Sequence, residues 1–263
     1  MSKSYFETNR ILWNKKTGIH LKSDFYEMDE FLLGKSSLKE IELELLGNIA
    51  GKSILHLQCH FGQDSLSLAR LGAKVTGLDI SDTSIETARE LNSKLGLDAT
   101  FIRSDVYAAK EHIDGKFDIV FTSYGTIGWL PDLDKWADIV AHFLKPNGKF
   151  VFVELHPVLW MYNFSFTNVE FPYFNEGPII ETLSGTYAQK DAPIQMKEVG
   201  WNHPLSEVFN SLMKHGLKIN HFSEYNYSPH PCFSGMVEQA PGQHIIESIG
   251  NKLPMTYALT AQL

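Results

Sequence analysis

Apolar and polar positions change rhythm in blocks along this chain. From Ser53 onward, apolar runs of strand length alternate with amphipathic stretches of helical period. Ser53–Cys59 (S-I-L-H-L-Q-C), Lys74–Ile80, Thr100–Arg103, Phe117–Thr122 and Lys149–Leu155 predict five strands. Phe117–Thr122 is apolar on both faces, as a central parallel strand should be. Asp64–Leu71 predicts a helix stopped by Gly72. The next helix starts at Ser81 or Asp82, carries the face Ile85, Ala88, Leu91 and Leu95, and ends at Gly96. Trp136, Ile139, Val140 and Phe143 mark another, closed by Lys145-Pro146-Asn147-Gly148. After Pro204 the rhythm resumes with a helix bearing Leu205, Val208, Phe209, Leu212 and Met213 and capped by Gly216. Leu217–Tyr225 and Pro254–Leu263 predict two final strands. This alternation predicts an α/β fold: one doubly wound, seven-stranded sheet with helices on both faces, in a single domain over residues 1–263.

Two regions fall outside the rhythm. Residues 1–52 show one helix, announced by a Ser37-x-x-Glu40 capping box and the face Leu38, Ile41 and Leu45, and are expected to cover the sheet. Residues 156–201 form an insertion. Its first half holds Trp160, Tyr162, Phe164, Phe166, Phe171, Tyr173 and Phe174 with no clean period, which suits either a pocket lid or a homodimer interface. Thr182–Ala188 and Gln195–Trp201 are expected to pair as a hairpin around Lys190-Asp191-Ala192-Pro193.

Charge narrows the partners. The 263 residues carry a net charge of −8, and the densest basic spot is the pair Lys15-Lys16. A surface that tracks phosphates needs clustered lysines and arginines, so no nucleic-acid partner is expected. No apolar run approaches the roughly 20 residues that span a bilayer, so no membrane partner is expected either. The first residues, Met1-Ser2-Lys3-Ser4-Tyr5, lack the apolar segment of a signal peptide. Two cysteines, Cys59 and Cys232, make no disulfide framework and suit a reducing cytoplasm.

The candidate chemistry gathers after the first strand, in Ile54-Leu55-His56-Leu57-Gln58-Cys59-His60-Phe61-Gly62-Gln63-Asp64. An open α/β sheet binds its ligand at the carboxyl ends of its strands, where the crossover direction reverses. Asp79 ends the second strand, where an acid can accept hydrogen bonds from two ribose hydroxyls. Arg103-Ser104-Asp105-Val106 ends the third; Asp105 can accept from an adenine amino group while Val106 packs on the ring. Taken singly, Asp79 reads equally as a helix N-cap and Asp105 as a turn residue; together they outline an adenosine site. His56 and His60 lack a third ligand at a recognisable spacing, so no metal is expected. Cys59 reads as a small buried residue.

Over about Lys52–Glu154, and again from residue 204 to the end, the chain resembles the class I S-adenosylmethionine-dependent methyltransferases. The resemblance implies a Rossmann-like sheet, mostly parallel with an antiparallel last strand. It also implies S-adenosyl-L-methionine as cofactor, S-adenosyl-L-homocysteine as product, and a small-molecule acceptor. Of the family's usual acidic, glycine-rich string this chain keeps only Gly62; His56 stands where an acid is common, and Gln58 and His60 where glycines are. The string is similar to that of a subfamily with a Q-C-H-x-G-x-D loop, a likeness extending to Trp129-Leu130-Pro131-Asp132-Leu133 and Glu154-Leu155-His156-Pro157. The cofactor would then meet Trp13, Gln58, Cys59, His60, Gly62, Asp79, Ile80, Ser104, Asp105, Val106 and Ser123. The N-terminal string Trp13-Asn14-Lys15-Lys16-Thr17-Gly18-Ile19-His20, with Tyr26, resembles a segment that closes over the donor.

A sulfonium is already an activated methyl donor, so catalysis rests on alignment and exclusion of water, with a base needed only for a protonated acceptor. Catalytic candidates are His20, Tyr124 and His156, the histidines reading equally as satisfied structural residues; Tyr26, Trp129 and Trp160 are substrate candidates. The fourth strand lacks the Asn/Asp-Pro-Pro-Tyr string of enzymes that methylate adenine amino groups. Two other functions compete. A nicotinamide-dependent reductase would want a fuller G-x-G-x-x-G and a Tyr-x-x-x-Lys pair. A non-catalytic S-adenosylmethionine-binding protein would share the cofactor and lack an acceptor site.

Overall fold

The computed structural model describes residues 2–263; Met1, the first residue of the expected N-terminal cover, lies outside them. In chain order the cover comprises α1 (Ser2–His20), α2 (Met28–Leu32) and α3 (Glu40–Leu46). The alternating half follows: β1 (Ser53–Leu57), α4 (Gln63–Arg70), β2 (Lys74–Asp79), α5 (Asp82–Leu95), β3 (Thr100–Arg103), β4 (Phe117–Ser123), α6 (Leu133–Phe143) and β5 (Leu144–Leu155). The insertion holds the hairpin β6 (Ile179–Ser184) and β7 (Gln195–Gly200). The chain closes with α7 (Leu205–Lys214), β8 (Lys218–Tyr225), β9 (Met236–Ala240), β10 (Gln243–Ile246) and β11 (Thr256–Gln262).

Seven strands form one sheet in the order β3-β2-β1-β4-β5-β11-β8. β1 pairs in parallel with β2 and β4, and β4 with β5, while β11 runs antiparallel to both β5 and β8. The last strand of the chain is therefore interior to the sheet, and β8 is the edge. Order reverses between β1 and β4, so the carboxyl ends of these strands open the crevice.

Side chains along each strand alternate between two cores. Leu55, Leu57, Val120, Phe150 and Phe152 face α6 and α7, with fully buried Trp136 at the centre. Ile54, Phe121 and Val151 face the layer of α3 and α4, beside which α5 packs Ile85, Ala88 and Leu91 around Phe101. Truncating such a buried aromatic as Trp136 to alanine costs about 3–5 kcal/mol.

The predicted strands and helices appear within a few residues of their expected bounds, and Ser81 is the N-cap of α5, accepting from Ser84 N–H. A hairpin forms, but its first strand, Ile179–Ser184, starts three residues earlier than the expected Thr182–Ala188, with Ser184 opposite Gln195. Four expectations need correction. Residues 2–20 form a long helix that hydrophobic period did not announce, because its buried face is mostly polar: Asn9, Leu12, Lys16, Thr17 and His20. Ser37 does not cap α3; its hydroxyl pairs with Ser67 Oγ at 2.9 Å on α4, and Lys39 holds the cap position. Lys145–Gly148 does not end a helix in a loop but is already part of β5. Finally, β9 and β10 form a second hairpin, turned at Pro241-Gly242, inside a stretch read as connection.

Candidate functional site

The turn from β1 into α4 takes a left-handed backbone three times, at Gln58 (φ 55°), His60 (φ 53°) and Gly62 (φ 77°). Two of these are side-chain-bearing residues where the resemblance leads one to expect glycine, and such conformers cost of order 1–3 kcal/mol each. They are held by what they touch. Gln58 Nε2 donates to Thr126 O at 2.8 Å, and His60 N–H donates to Asp79 Oδ2 at 2.9 Å. Gly62 is required for a different reason: a Cβ there would lie 2.6 Å from the Phe101 ring. It shapes the turn from behind and does not line the cavity.

Asp79 Oδ1 accepts from Ser81 N–H at 2.8 Å, so its carboxylate ties the β1 turn to the start of α5. No cation among the described residues compensates it, and burial pushes its pKa up to about 6. Asp105 Oδ1 caps the turn at 106–111 through Tyr107 N–H and Ala108 N–H, and its other carboxylate oxygen has no hydrogen-bond partner among the described residues. Ser104 Oγ donates to Asp105 O at 2.9 Å, and Val106 is buried beside it. After β4, buried Glu154 accepts from Thr126 N–H at 2.7 Å, Ile127 N–H at 3.2 Å and Gly125 N–H, fixing the loop that carries Tyr124 and Trp129.

These strand ends open into a cavity of about 710 Å³. It brings together Gln58, Cys59, His60, Asp79, Ile80, Ser104, Asp105, Val106 and Ser123 from the sheet, as the sequence led one to expect. Trp13, Tyr26, Tyr124, Trp129 and Trp160 line it as well. Burial keeps the Cys59 thiol protonated, pushing its pKa far up. Ser123 Oγ donates to Asp64 Oδ2 at 3.4 Å.

The cover is knitted to the sheet by side chains. Asn14 Oδ1 accepts from Ser81 Oγ at 2.7 Å, and Thr17 Oγ1 and Ser84 Oγ pair at 2.7 Å, docking α1 on the start of α5. Asn9 bonds both backbone groups of Val199 on β7. Lys16 reaches Glu198 Oε2 at 3.2 Å and lies 5.1 Å from the Trp13 ring centre and 5.3 Å from that of Trp129. Tyr26 Oη meets Tyr187 Oη and lies 3.3 Å from His60 Nδ1, joining the cover, the insertion and the turn after β1.

Of the three catalytic candidates, Tyr124 lines the cavity and the two histidines do not. His20 is fully buried among Trp13, Tyr26, His60 and Tyr187, outside the cavity lining, and burial pushes its pKa down to about 3. His156 also lies outside the lining: Nε2 meets Glu224 Oε1 at 3.0 Å and Nδ1 accepts from Val158 N–H, so it caps a turn. Tyr124 lines the cavity, but its hydroxyl donates to Glu42 at 2.8 Å. Buried Glu42 has its pKa raised to about 7 by desolvation. Sequence reading missed His230, Phe25 and Tyr187, all at the cavity. A proline-flanked histidine, Pro229-His230-Pro231-Cys232, was the available signal for the first of these.

Residues 54–148 match a family model described as a methyltransferase domain. The chain is similar to a ubiquinone biosynthesis O-methyltransferase from Shewanella pealeana, 31% identical over 116 residues covering 44% of this chain and 49% of that protein. The chain spans about half the length of the curated relatives it matches. An S-adenosylmethionine-dependent methyltransferase from Mesorhizobium loti shares the fold at TM-score 0.57 and 21% identity, covering 90% of this chain and 98% of that one. Another from Clostridium acetobutylicum does so at TM-score 0.59 and 15% identity, covering 96% and 99%. Residues 54–148 thus match a methyltransferase domain, and the sheet order and crevice are the fold that solved S-adenosylmethionine-dependent methyltransferases share.

Proposed function

We propose that this protein transfers a methyl group from S-adenosylmethionine to a small-molecule acceptor enclosed beneath the covers of the sheet. The observation that carries the reading is the Asp79 carboxylate, buried without a cation at the end of β2 and answered only by backbone N–H groups. A carboxylate so placed has acceptor capacity left for hydroxyl donors such as those of a ribose. The other donor-side features fit the same molecule. Asp105 has a free carboxylate oxygen beside Val106, and Gln58 Oε1 and His60 Nε2 are buried without partners. Such orphaned atoms cost about 1–3 kcal/mol each, which a polar ligand would recover.

The bound sulfonium supplies an electrophilic methyl group. The protein's share is placement and dryness. Asp79 and Asp105 anchor the nucleoside end, while Trp13 and Trp129, their rings already met by the Lys16 ammonium, wall the cavity. The 156–178 segment is read as a lid, because Trp160, Tyr162, Phe164, Phe166 and Phe171 line the cavity. Aromatic walls of this kind favour a small, partly apolar acceptor, and excluding water there strengthens alignment, worth up to roughly 7–11 kcal/mol in the best cases. The name of the relative from Shewanella pealeana favours oxygen as the accepting atom. A screen of small hydroxyl, amine and thiol compounds, scored by release of S-adenosylhomocysteine, tests the reading. Turnover with one chemical class is expected; tight binding of the donor with no turnover across the screen would instead mark a binding protein.

A further inference from the structure

Eleven histidines are present, and four of them line the cavity: His56, His60, His203 and His230. Three are already engaged. His56 Nδ1 meets Ser65 Oγ at 2.8 Å, His60 Nδ1 lies 3.3 Å from Tyr26 Oη, and His203 bonds Leu130 O and Glu207 through its two nitrogens. His230 alone has neither ring nitrogen in a hydrogen bond among the described residues. Neither nitrogen is among the sealed, partnerless atoms of the interior, so the ring is open to the cavity.

Its placement is built. Ser228 Oγ donates to His230 O at 2.8 Å and accepts from His230 N–H at 3.2 Å, and Ser228 is itself paired with His244 through backbone bonds in both directions. The imidazole stacks on Phe25, with centroids 5.7 Å apart and planes at 25°. Its other flank meets the Tyr124 ring edge to face at 4.9 Å. Tyr124 is in turn held by its bond to Glu42. An aromatic slot, hydrogen-bonded from behind, thus presents one imidazole to the space beside the strand-end loop of β4.

We propose that His230 is the general base of the reaction and that the acceptor is a hydroxyl compound. This rests on the methyl-transfer reading above. The acceptor's O–H bond breaks toward an imidazole nitrogen as its oxygen bonds the methyl group; the C–S electron pair stays with the donor sulfur. The positive charge that leaves sulfur appears on the imidazolium, so the cavity's net charge is unchanged across the step. Hydroxyl acceptors need such a partner because the neutral group is a poor nucleophile, whereas thiols ionise readily and a neutral amine is nucleophilic enough to react first and lose its proton afterwards. Burial, with Lys39 and His244 nearby, pushes the His230 pKa down to about 3, so the ring is neutral at pH 7, and the positive charge that arrives with the bound sulfonium must be handed on for it to hold the proton.

The test uses the full chain and three probes: catechol, benzylamine and benzyl mercaptan, each with S-adenosylmethionine. Wild-type protein is expected to methylate catechol. His230→Gln is expected to lose about 100-fold or more in kcat with catechol. Its affinity for S-adenosylhomocysteine, measured by calorimetry, should be unchanged. Imidazole added to His230→Ala should restore part of the rate, which a purely structural defect would not allow. Independently of turnover, the ring carbon signal of His230 in NMR should shift when catechol is added to the S-adenosylhomocysteine complex. Catechol turnover that survives His230→Gln overturns the base. Transfer to the amine or thiol alone overturns the hydroxyl assignment, as does donor binding without turnover of catechol. Failure to bind S-adenosylhomocysteine overturns the underlying reading instead.

Discussion

The two walls of the cavity are made in different ways. The donor wall comes from the ends of β1, β2 and β3, where regular elements place Gln58, His60, Asp79 and Asp105 through backbone geometry and short-range hydrogen bonds. The opposite wall comes from α1, the 156–201 insertion and the loop between β8 and β9, whose aromatic residues meet from distant points in the chain. One wall is a consequence of the fold; the other is knitted by single side-chain contacts such as Asn9 to Val199 and Lys16 to Glu198. Change on the first wall should remove donor binding, while change on the second should alter acceptor use and leave the donor in place.

The largest effect expected is at Asp79. Asp79→Ala should weaken S-adenosylhomocysteine affinity by about 100-fold, since it removes a charged acceptor and frees two backbone donors (roughly 3 kcal/mol). Calorimetry on the variant checks this, and an unchanged affinity would break the contrast between the walls. Next is Gly62→Ala, whose Cβ would press on the buried Phe101 ring at a positive φ. Denaturant unfolding should show a loss of about 2–3 kcal/mol.

Glu42→Gln should act in the other direction. The Glu42 carboxyl is pushed up to about 7 by burial, against an unfolded value near 4.5. An acid raised in this way favours the folded state while protonated, so its penalty is absent below about pH 4.5. The penalty grows as pH rises and is complete above about pH 7. Glu42→Gln should therefore raise stability by about 2 kcal/mol at pH 8 and by little at pH 5, as read from urea midpoints. The smallest effect is expected from Asn9→Ala, which leaves two backbone groups of Val199 without partners: about 1–2 kcal/mol of stability, with donor affinity within threefold of wild type. A large loss of donor affinity there would show that the cover also builds the donor wall.

The same division decides how much could be read from the sequence. Strands, helix faces and strand-end acids obey periods of 2 and 3.6, so β1 to β5, α5, α6, Asp79 and Asp105 were legible from spacing. Helix α1 was not, because it docks through Asn9, Asn14, Lys16 and Thr17, and periodicity counts only apolar positions. The Ser37-x-x-Glu40 signal failed because a nearer tertiary partner, Ser67, took the serine. His20 and His156 matched the chemistry sought but were claimed by packing and by Glu224, whereas His230 sat in a loop with no period to place it.

The most direct test titrates the wild-type chain and Asp79→Ala with S-adenosylhomocysteine and NAD by calorimetry from pH 8 to pH 5. Expected are one-site binding of the sulfur nucleoside, no heat with NAD, and affinity constant above pH 7. Below about pH 6, where Asp79 takes up its proton, affinity should fall by at most about tenfold per unit, and Asp79→Ala should lose that fall. Heat with NAD alone, or binding of S-adenosylhomocysteine that ignores both pH and the substitution, would contradict an Asp79-anchored donor site.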